Sequence, residues 1–179
     1  MAEDAFTAYY VNVSFLNAGL SGPMAGIYNA SPNEIIRIYR VGISNITVLA
    51  AVGNLVRLDL NVYRNSSIGD STHITPVKHG KNVPDLEAVE CFWGGVIVGN
   101  SPNTIRRVAW SCEEAIRMEA GNINSLGCLV EANIIFEVNS NDNNEQPIVL
   151  RPGEIFTILN STSAASYLNS FIEFTREFI

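Results

Sequence analysis

The stretch from Leu129 onward constrains the fold most, because it reads as four short strands in succession. Leu129 to Val138, LVEANIIFEV, places Val130, Ala132, Ile134, Phe136 and Val138 on one face of an extended segment. The polar run Asn139 to Glu145 predicts a turn. Pro147 to Leu150, the tight turn Arg151-Pro152-Gly153-Glu154 and the apolar run Ile155 to Leu159 follow. Tyr167 to Thr175 then alternates, with Leu168, Ser170, Ile172 and Phe174 opposite Asn169, Phe171 and Glu173. Period-two patterning over several short segments joined by turns predicts an all-β fold, an antiparallel β-sandwich.

The rest of the chain agrees. Ala8 to Phe15 is extended, and Ser31-Pro32 marks a boundary after it. Residues 1–33 are thus a first strand or an N-terminal arm, ahead of a single sandwich domain over residues 34–179. Ile35 to Val41 and Ile46 to Val52 are strands, and Gly53-Asn54 turns the second into Leu55 to Tyr63. In that last segment Val56, Leu58, Leu60 and Val62 face in, while Arg57, Asp59, Asn61 and Tyr63 face out. Asn65 to Asp85 reads as a long polar connection crossing between sheets. Ala88 to Val98 is a strand bulged at Gly94-Gly95, Asn100 to Asn103 a turn, and Thr104 to Trp110 a strand. Cys112 to Ala120 holds good helix formers and predicts the one short helix, with a loop over Gly121 to Gly127. About nine or ten strands in two sheets predict a jelly roll, with an immunoglobulin-type sandwich as the second topology.

Composition narrows the function classes. Charged residues are 16 % of the chain against 47 % hydrophobic, well below the roughly 25 % charged usual for soluble domains. A surface so poor in charge favours burial against further copies or another protein. The net charge of −7 disfavours nucleic acid, which needs a basic surface to displace counterions. Nothing approaches the roughly 18 apolar residues of a membrane-spanning helix, and MAEDAFTAYYVNV lacks the basic start of a signal peptide. Cys91, Cys112 and Cys128 are odd in number and unpaired in spacing, which suits a reducing cytoplasm. The N-x-S/T triplets at Asn12, Asn29, Asn45, Asn65 and Asn160 follow from an Asn-rich composition.

No residue set announces catalysis. His73 and His79 are the only histidines and fall in one polar segment, too few for a metal-binding barrel mouth. The cysteines form no C-x-x-C knuckle, and Cys91 in a strand and Cys128 just before one read as small buried hydrophobes. Asp85, Glu87, Glu90, Glu113 and Glu114 supply carboxylates, but nothing selects an acid–base pair. Asn139 to Glu145 lacks the glycine of a calcium loop. No nucleophile elbow, H-E-x-x-H helix or P-loop occurs. The expectation is a protein that is not an enzyme, with no catalytic residues, no metal site and no cofactor. Tyr9, Tyr10, Tyr39, Tyr63, Trp93 and Trp110 could build a carbohydrate platform. Of these Trp93 and Trp110 read as core, and Tyr63 lies on an outer face.

Gln146 to Glu154, QPIVLRPGE, with its apolar strand and the closing Phe171-Ile172-Glu173-Phe174-Thr175, resembles small structural proteins of tailed bacteriophages, as does Thr75-Pro76-Val77-Lys78-His79. The resemblance implies a jelly-roll capsid-decoration or head-associated protein, often trimeric. It implies a homo-oligomer, a trimer, partnered with the major capsid protein or other virion proteins. Such a subunit is made in the host cytoplasm and ends on the capsid surface of the virion. The alternative reading is a carbohydrate-binding, lectin-like β-sandwich module.

Overall fold

In the computed structural model, residues 4–15, 23, 25–45, 55–111, 133–138, 146–161 and 166–179 are described. They form twelve strands and, among the described residues, no helix. The strands are β1 (Asp4–Phe15), β2 (Ala25–Asn29), β3 (Glu34–Asn45), β4 (Leu55–Tyr63), β5 (Ser67–Ile74), β6 (Val77–Lys78), β7 (Val89–Val98), β8 (Asn103–Ser111), β9 (Asn133–Glu137), β10 (Ile148–Leu150), β11 (Ile155–Asn160) and β12 (Ser166–Phe178). The strand at Ile46 to Val52, the turn at Gly53-Asn54, the segments Cys112 to Ala120 and Gly121 to Gly127, and the turn Asn139 to Glu145 lie outside the described residues.

Two six-stranded sheets pack face to face. The first has the order β10-β3-β12-β1-β6, with β9 also paired to β3; the second has the order β5-β7-β2-β11-β4-β8. Every strand pair is antiparallel. The chain changes sheet at most of its connections, so residues far apart in sequence meet across one core. Phe6, Ala8 and Tyr10 of β1, Ile172 and Phe174 of β12, and Ile36, Ile38, Val41 and Ile43 of β3 supply one side. Ile27, Leu58, Leu60, Val62, Cys91, Phe156 and Ile158 supply the other. The alternation read in β4 and β12 therefore holds on its inner face.

Three details depart from simple alternation. In β9, Ile135 and Phe136 are both buried while Ile134 is exposed. The register against β3 skips a residue between Val41 and Gly42, so a bulge takes up Ile135 and reverses the phase expected for Ile134. The segment Asn65 to Asp85 does cross between sheets, but as strands: β5 joins the second sheet and β6 the first. Its polar composition hides the pairing, because β5 buries none of its side chains fully. Finally, Asp59 and Asn61 point outward as expected, yet both are buried.

Among the described residues, each sheet edge is short or interrupted. β6 spans two residues, and β9 and β10 share the opposite edge in short pieces. The β5–β7 ladder keeps its register but loses a rung at Asp70, whose φ is 50°, opposite Gly95 of the positive-φ pair Gly94 and Gly95. β8 is bulged against Leu60 and Asn61. Interrupted edges resist strand-on-strand aggregation.

One end of the first sheet is closed by a buried cation. Arg176 of β12 lies between Asp4 of β1 at 2.8 Å and Glu34 of β3 at 3.5 Å. Its guanidinium also donates to the Asp85 carbonyl at 3.1 Å and lies over the Phe6 and Phe178 rings. It ties three strands and the segment after β6 together. A buried guanidinium needs such partners to offset its lost hydration.

Candidate functional site

The titratable side chains singled out in the sequence do not converge. Among the described residues, no three His, Cys, Asp or Glu side chains are grouped to hold a metal. His73 on β5 is exposed and faces Glu90 at 4.0 Å, while His79 follows β6 and hydrogen-bonds the Thr7 hydroxyl at 2.6 Å. Asp85 pairs with Lys78 at 2.6 Å, and Glu87 is exposed. Glu113, Glu114, Cys112 and Cys128 lie outside the described residues. Cys91 is buried beside Tyr10, and burial pushes its thiol up to about 12. Burial likewise raises Tyr10, whose hydroxyl donates to the Gly26 carbonyl at 2.8 Å. A thiol held protonated in this way is inert as a nucleophile. A cleft of about 300 Å³ opens beside β5 and β6, lined by Phe6, Ile74, Lys78, Asp85, Leu86 and Val89. Its lysine and aspartate neutralise one another.

The aromatic candidates separate clearly. Tyr10 is fully buried, Trp93 packs against the core, and Tyr39 and Tyr63 are half-buried. The side chain of Trp110 lies outside the described residues. Tyr9 alone stands out, at 55 % exposure.

Tyr9 belongs to a row across the outer face of the first sheet. The register aligns Tyr9 on β1, Phe171 on β12, Gly42 on β3 and Ile134 on β9. Even a methyl group at Gly42 would overlap the Phe171 ring, so the glycine lets that ring lie against the sheet. The Tyr9 ring stands 6.5 Å away, tilted by 45°. The neighbouring row reads Thr7, Glu173, Arg40 and Glu137. Arg40 reaches Glu137 at 3.2 Å and Glu173 at 3.9 Å, and its guanidinium lies 5.8 Å from the Phe171 centroid. The face is thus an apolar strip beside a charged strip. Alternation marked Phe171 and Glu173 as outward, but the partnership with Tyr9 and Gly42 needed the strand register.

A second exposed feature is the β5–β7 ribbon. Among the described residues, Cys91 and Phe92 of β7 pair with both β2 and β5, Val89 and Glu90 with β2 alone, and residues further along β7 with β5 alone. Val96 and Val98 point to one side of this ribbon and are 63 % and 61 % exposed. Ile68 and Ile97, directly opposite each other, are half-buried. The far end is fastened by Asn100, which donates to the Ser66 hydroxyl and the Arg64 carbonyl, both at 3.2 Å.

Comparison of the chain with protein-family models, curated proteins and solved structures finds no match.

Proposed function

We propose that the protein is a non-enzymatic virion structural subunit, a jelly roll that self-associates and decorates or attaches to a phage capsid. The jelly-roll reading draws on strand order. With β5, β6 and β7 set aside as an insertion, and β9 and β10 counted as one interrupted strand, eight strands remain. Numbered in chain order, they follow 1-8-3-6 in the first sheet and 2-7-4-5 in the second. Two interlocked Greek keys run in this way. The capsid reading draws on the resemblance at Gln146 to Glu154 and on the low charge of the chain.

The observation that carries self-association is the ribbon. A two-stranded ribbon is marginal on its own in water, and this one presents Val96 and Val98 to solvent. Covering them removes apolar surface at roughly 25 cal/mol per Å². Closed rings of copies achieve this with one repeated contact. The oligomer, a trimer, then docks on the major capsid protein or another virion protein, and bound copies stabilise the lattice by mass action.

Light scattering coupled to size exclusion tests the reading. A stable trimer is expected for the wild-type chain, and a monomer for V96D/V98D. A wild-type chain that stays monomeric at high concentration would sink the proposal.

A further inference from the structure

We propose that the outer face of the first sheet is a saccharide-binding shelf. On it Tyr9 and Phe171 take the apolar face of a pyranose ring, while Arg40, Glu173 and Glu137 take its hydroxyls. This site is separate from the ribbon and does not depend on self-association.

A pyranose presents carbon-bound hydrogens on one face and hydroxyls around its rim. Its complement is an aromatic surface beside fixed donors and acceptors. Phe171, lying over Gly42, forms a floor, and the tilted ring of Tyr9 forms a low wall. The polar strip lies two residues along the strands, about 7 Å away, within reach of the hydroxyls of a sugar seated on Phe171. Arg40 offers several N–H donors in a fixed fork, and the two carboxylates accept. The ion pairs to Glu137 and Glu173 hold the guanidinium in place before a ligand arrives. Little side-chain entropy is then lost on binding.

Other occupants fit less well. A second copy would need roughly 800 Å² per partner, and among the described side chains the apolar strip consists of Tyr9, Phe171 and a partly exposed Ile134. An anion would meet two carboxylates for one guanidinium. A neutral polyol meets neither obstacle.

The test is a nuclear magnetic resonance titration of the isotope-labelled full chain. The probes are methyl glucopyranoside, methyl galactopyranoside, methyl mannopyranoside and N-acetylglucosamine at millimolar concentration. At least one is expected to shift the backbone amides of Tyr9, Gly42 and Phe171. Y9A, at an exposed position, should weaken that binding by about tenfold or more, a loss of roughly 1.4 kcal/mol. R40Q should weaken it while leaving the fold intact, and V96D/V98D should bind as the wild type does. No shift with any probe would overturn the proposal, as would binding that survives both Y9A and R40Q. Shifts at the same amides that depend on protein concentration and not on sugar would assign the face to a second copy instead.

Discussion

Each sheet lays a phenylalanine ring over a cross-strand glycine on its outer face, and the two rings meet opposite fates. On the first sheet Phe171 lies over Gly42 and stays partly open to solvent beside Tyr9. On the second sheet Phe92 lies over Gly26 and is fully buried. The row of Phe92 and Gly26 continues through Thr157 to Asn61, both buried, and on to Thr104, whose hydroxyl donates to the Asn61 side-chain carbonyl at 2.8 Å. One rung along, Ile155 is buried between Tyr28 and Tyr63. Further on, Asp59 sits 3.5 Å from both Arg57 and Arg107. The second sheet thus carries a polar and aromatic layer that belongs to its stability. The same kind of row on the first sheet stays open to solvent at Tyr9 and, in part, at Phe171. Alternation separates inward from outward positions, but it does not say which outward positions are buried.

The sharpest way to break this comparison is to truncate the two rings. F92A should cost about 3–5 kcal/mol, the range for emptying a buried aromatic site. F171A should cost a small fraction of that, because its ring is already partly solvated. Urea unfolding of both variants decides the matter, and equal losses would erase the distinction between the faces. A smaller effect is expected at Asn61. N61A removes the acceptor of the Thr104 hydroxyl and a partner of Tyr63. Stranding buried polar groups costs about 1–3 kcal/mol, seen as a lower denaturant midpoint with an unchanged slope. The smallest effect is expected in the core between the sheets. The Cys91 thiol is pushed up by burial from 9.0 to about 12, and burial also raises Tyr10. Both groups are neutral when folded at moderate pH and ionise first in the unfolded chain. Stability is therefore unaffected by them below about pH 9 and falls as pH rises from there toward 12. At pH 10 the Cys91 contribution is on the order of 1 kcal/mol. Thermal melts of C91A beside the wild type should show a shallower alkaline decline for the variant. Parallel declines would place the alkaline sensitivity elsewhere.

The legible parts of the fold were those with strict alternation and marked turns. Leu58, Leu60 and Val62 of β4 and Ile172 and Phe174 of β12 sit in the core as their spacing required. The turn Arg151 to Glu154 closes as its Pro-Gly pair implied. Gly153 adopts φ 77°, and the Glu154 carboxylate accepts the Arg151 amide at 2.9 Å. β5 and β6 leave no pattern in the sequence, because SIGDSTHI buries too little apolar surface and β6 spans only two residues. The phase of β9 is not legible in its own segment, because the bulge at Ile135 is set by the pairing with β3. Of the shelf, Phe171 and Glu173 were legible as outward, and Tyr9 only as one of several aromatics.

Composition and period-two patterning determined by themselves that this chain builds an all-β sandwich, because side-chain direction in a strand is a local property. The tertiary structure decided which strands became neighbours, and with that which outward residues share a row. Tyr9, Gly42, Ile134 and Phe171 are brought into line by pairing between segments far apart in the sequence. Register across a sheet depends on the partner strand and its bulges, and neither is written in the segment that carries the side chain.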